Sequence, residues 1–565
     1  MYLRTSKQKT SKGGILETFQ IVESVWDKEK RRSMIKVIYN CGSAQDPAVR
    51  ERLRRLASGI LRRVSPEQIV VDNPDWKLID AWHYGDLYVI EKLWEQIGLR
   101  DLLPSMTKDA TKLKLPVERA AFAMVANRCL APASKLYCFE QWLREDVRID
   151  GAEDLELHQM YRTMDFIEKH KDEIEKAIYF KVADLLNGDV DLVFYDTTSL
   201  HCEIDEEDCQ GDEEATLQGS TLAGSKTYEA LRQRGKSKNG RGDAPQIVVG
   251  LAMTRDGLPI RSWVFRGDTV DVETVERVKQ DLRGWKLTRS IFVGDAGMVS
   301  KENLKKLSQG GGKYIVCVPM GRGDEVTKYV LTQPGRYKEV KPNLHVKEVT
   351  IGEGERRRRY VVCYNPEEAA RQDAHRKQAL KELQEMIKHL RSTKKGGDCH
   401  SKRICQLRTS ERYGKYLKVD HDKLTIDWDK VRSIERLDGK YVVHSNDDSL
   451  TPEDMALGYK QLMEVEQAWR LLKSGIRIRP IFHWVPHRIS AHITLTMIAL
   501  LLERLAENAC GDTWRNIRDD LRQIKLGQLL SQNGEVWQVT EPGPNALNRL
   551  NKMKIQRPPA ILKTC

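Results

Sequence analysis

The sequence predicts an α/β protein built around a mixed sheet, with an inserted segment interrupting that core. Short β-rich stretches separated by turns run from Asp191 to Val318. Two of these stretches end in an aspartate, Asp196 and Asp295, and a helical pattern much further along carries Glu466. A strand end holds a carboxylate rigidly and leaves it open to solvent. The three acids therefore predict a two-metal site for phosphodiester chemistry.

The order of the β-rich stretches defines the predicted sheet. Strands are expected at Asp191–Tyr195, Ile247–Met253, Ile260–Phe265, Ile291–Val293 and Tyr314–Val318, with helices at Val270–Leu282 and Lys301–Leu307. Thr254-Arg255-Asp256-Gly257 predicts a hairpin, because Asp-Gly supplies the positive φ values of a tight turn. Three antiparallel strands, a helix and then further strands is the order of an RNase H-like mixed sheet. Its first and fourth strands are neighbours, so Asp196 and Asp295 are expected to meet.

Changes in texture divide the chain into six predicted parts. They are a hairpin and helix module (1–80), a helical domain (81–187), the first part of the core (188–319), an inserted subdomain (320–440), the second part of the core with the Glu466 helix (441–508) and a C-terminal tail region (509–565). Alternating residues in Ile15–Val25 and Met34–Tyr39 predict the hairpin, and an Arg-rich helical pattern follows over Pro47–Val64. This module fits either contact with DNA or an ordinary solvated basic face.

Charge and hydropathy narrow the class of partner. The 94 Lys and Arg exceed the 82 Asp and Glu by 12, which fits an anionic partner without identifying one. The longest apolar run, Ile493 to Leu502, is too short to span a bilayer. It predicts a buried helix, and no membrane partner is expected.

The helix with Glu466 is predicted to begin near Pro452 and to bury one face. The apolar positions of that face are Leu462, Val465, Trp469 and Leu472, spaced 3, 4 and 3 residues apart. Seven residues are nearly two helical turns, so Tyr459, Glu466 and Lys473 should project in nearly one direction, with Arg470 one turn beyond Glu466. Taken alone, the helical pattern is better explained if Glu466 is a surface acid that pairs with Arg470. The two strand-end aspartates favour the metal ligand instead.

Two charged segments leave alternatives open. The long first connection of the core has an acidic half (203–214) and a basic half (226–241). It fits a mobile loop whose basic half approaches a DNA backbone, and equally a solvated linker. In the inserted segment, Arg356–Arg359 fit either a grip on phosphates or a solvated edge strand.

One motif resembles a known family. Tyr459-x2-Leu462-x3-Glu466-x6-Lys473 resembles the Tyr-x2-Arg-x3-Glu-x6-Lys signature of DDE transposases in the insertion-sequence four superfamily. Further stretches look like the branch named after insertion sequence 1634: the Trp26-Asp27 hairpin, Phe194–Ser199, Ala244–Leu251, Val293–Met298, Val465–Lys473 and Arg479–Trp484. The resemblance extends to about residue 505. Leu462 departs from it, and the DNA contact of the signature arginine is either unassigned or passes to Arg470.

The resemblance implies a DNA transposase that cleaves at the ends of an insertion sequence and transfers the 3′-hydroxyl into target DNA. Its RNase H-like core would hold two Mg²⁺ ions on Asp196, Asp295 and Glu466. Mn²⁺ would substitute, since hard oxygen ligands favour these ions over zinc. Two alternatives remain: an RNase H-like nuclease that does not join DNA, and a non-catalytic DNA-binding relative.

The resemblance also implies the DNA contacts. Tyr459 and Lys473 would hold the scissile or a flanking phosphate, and Arg470, Arg477 and Arg479 would extend a basic strip along the backbone. The partners would be double-stranded DNA, both the terminal inverted repeats and the target. A homodimer would hold two ends together, and the protein is expected in the cytoplasm, associated with the nucleoid.

Overall fold

A computed structural model describes most of the 565-residue chain. The described residues are 2–9, 15–27, 32–50, 52–53, 77–107, 115–186, 191–204, 206–208, 230–238, 240–282, 285, 291–320, 326–354, 357–392, 398–420, 423–531 and 534–564. They form two compact units. The first comprises Met1–Ala81, Leu526–Thr540 and Pro559–Cys565, and the second comprises Trp82–Lys525 and Glu541–Pro558.

The first unit is built from β-strands. Its antiparallel sheet has the order β1-β2-β3, and its other sheet has the order β18-β17-β16-β4. The strands are β1 (Tyr2–Lys9), β2 (Ile15–Asp27), β3 (Arg32–Ser43), β4 (Lys77–His83), β16 (Lys525–Ser531), β17 (Gly534–Val539) and β18 (Ile561–Thr564). The predicted hairpin is confirmed, because Asp27 pairs with Arg32 at its tip. The helix predicted over Pro47–Val64 lies largely outside the described residues.

A nine-stranded mixed sheet forms the centre of the second unit, in the order β10-β11-β12-β15-β9-β8-β5-β6-β7. The strands are β5 (Leu192–His201), β6 (Gln246–Met253), β7 (Pro259–Arg266), β8 (Ile291–Gly294), β9 (Lys313–Val318), β10 (Lys338–Lys341), β11 (Leu344–Ile351), β12 (Arg358–Tyr364) and β15 (Lys440–Ser445). A separate two-stranded sheet pairs β13 (Leu417–Asp420) with β14 (Lys423–Ile426).

The pairing of β5 with β8 confirms the predicted neighbours. These strands run parallel, and Tyr195 is in register with Gly294. Asp196 and Asp295 follow Tyr195 and Gly294, so the two aspartates lie side by side where β8 ends. The strand end predicted for Asp196 is wrong, because β5 continues to His201 through its pairing with β6. The predicted hairpin between β6 and β7 is also present: Gly257 has φ +73°, and its N–H donates to the carbonyl of Thr254 at 3.1 Å.

Part of the segment predicted as an inserted subdomain extends the large sheet. We expected residues 320–440 not to continue the core, yet β12 pairs with β11 on one side and with β15 on the other. Residues 359–363 are buried, so this strand needs neighbours on both edges and cover on both faces. Arg359 is therefore not on an edge strand. Its guanidinium bonds Glu348 and the carbonyls of Asp447 and Leu450.

Helices cover the sheet and form the predicted helical region. They are α1 (Gly85–Gln96), α2 (Leu99–Thr107), α3 (Val117–Leu130), α4 (Lys135–Tyr137), α5 (Leu157–Lys169), α6 (Lys171–Leu186), α7 (Asp271–Leu282), α8 (Lys301–Ser308), α9 (Pro366–Ser392), α10 (Asp398–Thr409), α11 (Trp428–Glu435), α12 (Pro452–Lys460), α13 (Met463–Ser474), α14 (Pro486–Cys510), α15 (Trp514–Leu521) and α16 (Pro544–Lys552), with a π-helix at Cys138–Asp146. Helix α14 contains the long apolar run and packs against α3 and α5. Its most apolar stretch is 94% buried inside the protein, as predicted for a core helix.

The prediction of one continuous helix for Tyr459, Glu466 and Lys473 is wrong. Tyr459 lies on α12, whereas Glu466 and Lys473 lie on α13. Between the two helices the hydrogen bonds span three residues, from Leu462 N–H to Tyr459 O and from Val465 N–H to Leu462 O. This tighter 3₁₀-type turn interrupts the α-helical hydrogen bonding, although the backbone stays right-handed. The predicted buried positions, from Leu462 to Leu472, are confirmed.

Candidate active site

The three predicted carboxylates line one open pocket of about 450 Å³ at the end of the sheet. Asp196 comes from β5, Asp295 follows β8 and Glu466 projects from α13. The remaining lining residues are Thr197, Thr198, Lys238, Asp271, Trp469, Arg470 and Lys473. Carboxylates thus face three cationic side chains, an arrangement suited to a metal ion together with a phosphate.

Asp196 lies within β5 and is held by its neighbours on that strand. The Tyr195 ring is fully buried and packs edge-on against Trp263, with centroids 5.7 Å apart, and also against Phe292. Burial raises the pKa of the Asp196 carboxyl to about 6, and the nearby charges of Asp295 and Asp271 add to that rise. Its carboxylate is thus destabilised by its surroundings, and a cation placed beside it would relieve that cost.

Asp295 is oriented by Tyr459. The Tyr459 hydroxyl donates a hydrogen bond to Asp295 Oδ1 at 2.9 Å. Helix α12 lies close to the sheet because residue 458 is glycine: a Cβ there would come within 3.2 Å of the Ile315 side chain. Burial raises the pKa of Tyr459, so the phenol remains a proton donor. The phosphate contact predicted for Tyr459 stays a prediction, beside this contact with a site carboxylate.

Helix α13 presents Glu466 and Lys473 to the pocket. Its opposite face is fixed by the buried side chains Val465, Ala468, Trp469 and Leu472. Lys473 Nζ donates to Thr198 Oγ1 at 2.7 Å, which ties the helix to β5. Burial lowers the pKa of Lys473, and the nearby charges of Arg479 and Lys238 lower it further. The ammonium therefore lies where an added anion would be favourable.

The predicted basic residues divide into two groups. Arg470 lines the pocket and is exposed. Arg477 and Arg479 lie outside the pocket lining, on the irregular segment after α13, where Arg477 has φ +53°. Arg477 is exposed and Arg479 is partly exposed, whereas Ile476 and Ile478 beside them are buried. Arg479 Nη1 lies 3.4 Å from His201 Nδ1.

Two charged pocket residues were not predicted as site residues. Asp271 begins α7, and Lys238 belongs to the basic half of the long connection. Lys238 pairs with Asp271 Oδ2 at 2.9 Å. A helical pattern gave the start of α7, but nothing local in the sequence pairs these two residues. The basic half of the connection, expected to face DNA or solvent, turns this lysine toward the carboxylates.

The chemistry of the donor set fits a hard divalent cation. The acids of the pocket are Asp196, Asp271, Asp295 and Glu466, and their ligand atoms are all oxygen. Within the described residues, no three His, Cys, Asp or Glu side chains lie close enough together to coordinate one ion. The carboxylates thus share a pocket but need side-chain adjustment to share a metal.

Two carboxylates side by side on neighbouring strands, with a helical glutamate and cations around them, are the arrangement found in DDE-type enzymes that act on DNA. The family described as "Transposase DDE domain" matches residues 220–502, half of the 565-residue chain. The chain belongs to this family and is a DDE-type transposase. The matched range includes Asp295 and Glu466 and begins after Asp196. DDE transposases generally use divalent metal ions and bind DNA.

Comparisons with individual proteins add a distant likeness. No curated protein matches the chain. Among solved structures, the chain is similar to a piggyBac transposase synaptic complex with hairpin DNA studied by cryo-EM. The identity is 9% and the TM-score 0.34, over 78% of this chain and 80% of that chain.

Asp196→Asn is expected to stabilise the fold at pH 7.5 by about 1–2 kcal/mol. The folded pKa of about 6 exceeds the ordinary value of 3.8, so ionisation costs folding free energy. That cost is complete above pH 6 and disappears below the unfolded pKa. Urea unfolding should therefore show the gain at pH 7.5 and little of it at pH 4. Asp191→Asn, at an exposed ion-paired position just before β5, is the control and should not stabilise the fold. If Asp196→Asn raised the free energy of unfolding equally at both pH values, the raised pKa of Asp196 would be contradicted.

Tyr459→Phe is expected to lower the rate of DNA cleavage about three- to tenfold, because Asp295 loses its hydrogen-bond donor. DNA affinity should stay within twofold. Tyr441→Phe is the matched control, since its ring packs against Tyr459 while its hydroxyl interacts with the Cys363 thiol. Single-turnover cleavage of labelled DNA measures the effect. Equal losses in both variants would argue against an orienting role for the Tyr459 hydroxyl.

Proposed function

We propose that this DDE transposase cleaves DNA at the ends of an insertion sequence and transfers the new 3′-hydroxyl into target DNA. Asp196, Asp295 and Glu466 hold two Mg²⁺ ions for both steps, and Mn²⁺ substitutes. The observation that carries this proposal is the convergence of these carboxylates, from three distant parts of the chain, in one pocket with Arg470 and Lys473. Acidic residues placed on the surface without a shared role would not be expected to converge in one pocket.

The fold supports an RNase H-like core within this proposal. The strand order β7-β6-β5-β8-β9, with β5 parallel to β8, is the order expected from the sequence for such a core. The spacing of Tyr459, Glu466 and Lys473 supports the insertion-sequence four superfamily and its 1634 branch.

The division of labour follows from the contacts. When bound, the metal ions supply a deprotonated nucleophile and stabilise the leaving oxygen of the phosphodiester. Tyr459 orients the Asp295 carboxylate that holds them. Lys473 and Arg470 neutralise the charge that builds up on the phosphate, since both line the pocket beside the carboxylates. Arg477 and Arg479 contact the DNA backbone further along.

Leu462 occupies the position of the arginine in the family signature, so another residue has to make the DNA contact of that arginine. Leu462 is apolar, 6% exposed and packed in the core. This position therefore offers no positive charge to DNA. Arg470, two turns further along the helical segment, is exposed at the pocket. We therefore assign the DNA contact of the missing arginine to Arg470.

The remaining partners follow from the reaction. The protein binds double-stranded DNA at the terminal inverted repeats and at the target, and a homodimer holds two ends together. The place of action is the cytoplasm, at the nucleoid, with no membrane partner. The net charge of +12 supports a polyanionic partner.

Joining of DNA separates this function from that of a nuclease. Purified protein, Mg²⁺, labelled element ends and a target plasmid should give a product in which the labelled strand is covalently joined to the plasmid. Cleaved ends without any joined product would favour the RNase H-like nuclease. Ends with their terminal repeats scrambled are the matched control, and they should give neither product.

A further inference from the structure

Lys238 lines the open carboxylate pocket and directs its ammonium into it. Its ammonium donates to Thr197 O at 2.9 Å and to Thr197 Oγ1 at 2.7 Å, and it pairs with Asp271 Oδ2 at 2.9 Å. An ammonium has three protons, so these contacts use all its donors. In this arrangement the ammonium adds a positive charge to the pocket and has no proton left for a phosphate.

Asp271 connects this lysine to both catalytic strands. Its Oδ1 accepts a hydrogen bond of 2.5 Å from the hydroxyl of Thr197, the residue after Asp196. Its Oδ2 lies against the turn that follows Asp295. The closeness is shown at Gly297, where an added Cβ would come within 3.3 Å of this oxygen. The fourth carboxylate of the pocket thus lies beside both aspartates, with Lys238 as its counter-ion.

The backbone of Lys238 is anchored separately from its side chain. The backbone N–H of Lys238 donates to Ser199 Oγ on β5 at 2.8 Å, which fixes the main chain independently. The side chain is 38% exposed, and Asp271 is 24% exposed. Water can therefore reach the ion pair, and the long flexible stem of a lysine can swing outward.

We propose that the Lys238 ammonium is an internal cation that competes with the divalent metal for the carboxylate pocket. Metal binding is then coupled to release of Lys238 from Asp271, and Asp271 becomes an additional carboxylate of the metal site. The inference rests on the proposed function, since it assumes that Asp196, Asp295 and Glu466 bind the metal. Electrostatics gives its sign: a positive charge a few Å from a dication raises the free energy of metal binding.

Binding of Mn²⁺ to the full-length protein without DNA, followed by electron paramagnetic resonance, tests the competition. Lys238→Met should bind Mn²⁺ about tenfold more tightly than wild type, after allowance for solvent screening. Lys238→Gln should behave alike, whereas Lys238→Arg keeps the charge and should stay near wild type. Lys236→Met is the matched control, since it removes the same charge from an exposed position two residues away.

The outcomes separate the inference from the function on which it rests. Unchanged or weaker Mn²⁺ binding by both Lys238→Met and Lys238→Gln overturns the competition, provided that Asp196→Asn weakens binding in the same assay. Equal tightening by Lys236→Met also overturns it, because the effect would then be one of net charge alone. If Asp196→Asn and Glu466→Gln leave Mn²⁺ affinity unchanged, the metal site itself is wrong, and both proposals fall.

Discussion

Asp196→Asn, Asp295→Asn and Glu466→Gln are each expected to lower end cleavage at least about a thousandfold. Loss of one metal carboxylate removes several kcal/mol of transition-state stabilisation, and about 4 kcal/mol corresponds to that factor. Binding of element ends should change less than about threefold, since the phosphate contacts of Lys473 and Arg470 remain. Cleavage is measured in single turnover with labelled ends, and binding by gel shift.

Matched neutralisations nearby should leave cleavage intact. Glu464→Gln lies two residues before Glu466 on α13 but lines a different pocket. Asp191→Asn precedes β5 and is ion-paired with Arg255 at 2.8 Å. Both variants should cleave within about twofold of wild type. A thousandfold loss in either control, or near wild-type cleavage by any of the three site variants, would contradict the assigned site.

Lys473→Met is expected to lower end cleavage about 10- to 100-fold, the second largest effect. Lys473 is held by Thr198 beside Asp196, where its charge stabilises negative charge on the reacting phosphate. The loss should fall mainly on the rate of the chemical step. Removing one phosphate contact should also reduce the slope of log affinity against log salt by about one.

The control for this prediction is Lys460→Met, an exposed lysine at the end of α12 that lines a different pocket. It should leave the cleavage rate unchanged. Thr198→Val should reproduce a smaller part of the Lys473→Met loss, because the lysine then loses its anchor. If Lys460→Met and Lys473→Met lowered the cleavage rate equally, the rate would depend on the overall positive charge of the protein and not on the position of Lys473.

The pairing of Asp196 with Asp295 could be predicted because it depends on strand order. Each aspartate ends an apolar stretch, and the Asp256-Gly257 turn fixes β6 beside β7. The position of Glu466 could likewise be predicted from the spacing of buried residues on its helix. Such patterns report which face of an element is buried, and that was sufficient for these three side chains.

Contacts between distant elements could not be predicted in the same way. The buried faces of β11 and β12 indicate that they are covered, but they do not reveal that β15 joins them to the large sheet. The 3₁₀-type turn at Leu462 separates α12, which packs on β9 and β11, from α13, which packs on β5, and the helical spacing of the sequence continues through it. Lys238 belongs to a long connection whose composition indicated that it faces solvent or DNA, yet its side chain pairs with Asp271.

Metal-specific rescue of cleavage tests the central claim most directly, namely that Asp196, Asp295 and Glu466 hold the catalytic metal. Each residue is replaced by cysteine, and cleavage is compared in Mg²⁺ and in Mn²⁺. A thiolate binds Mg²⁺ poorly and accepts the softer Mn²⁺ better. The account predicts that Asp196→Cys and Asp295→Cys are inactive in Mg²⁺ and regain measurable cleavage in Mn²⁺, while Asp191→Cys is active in both. Equal activity of the site variants in both metals would contradict it.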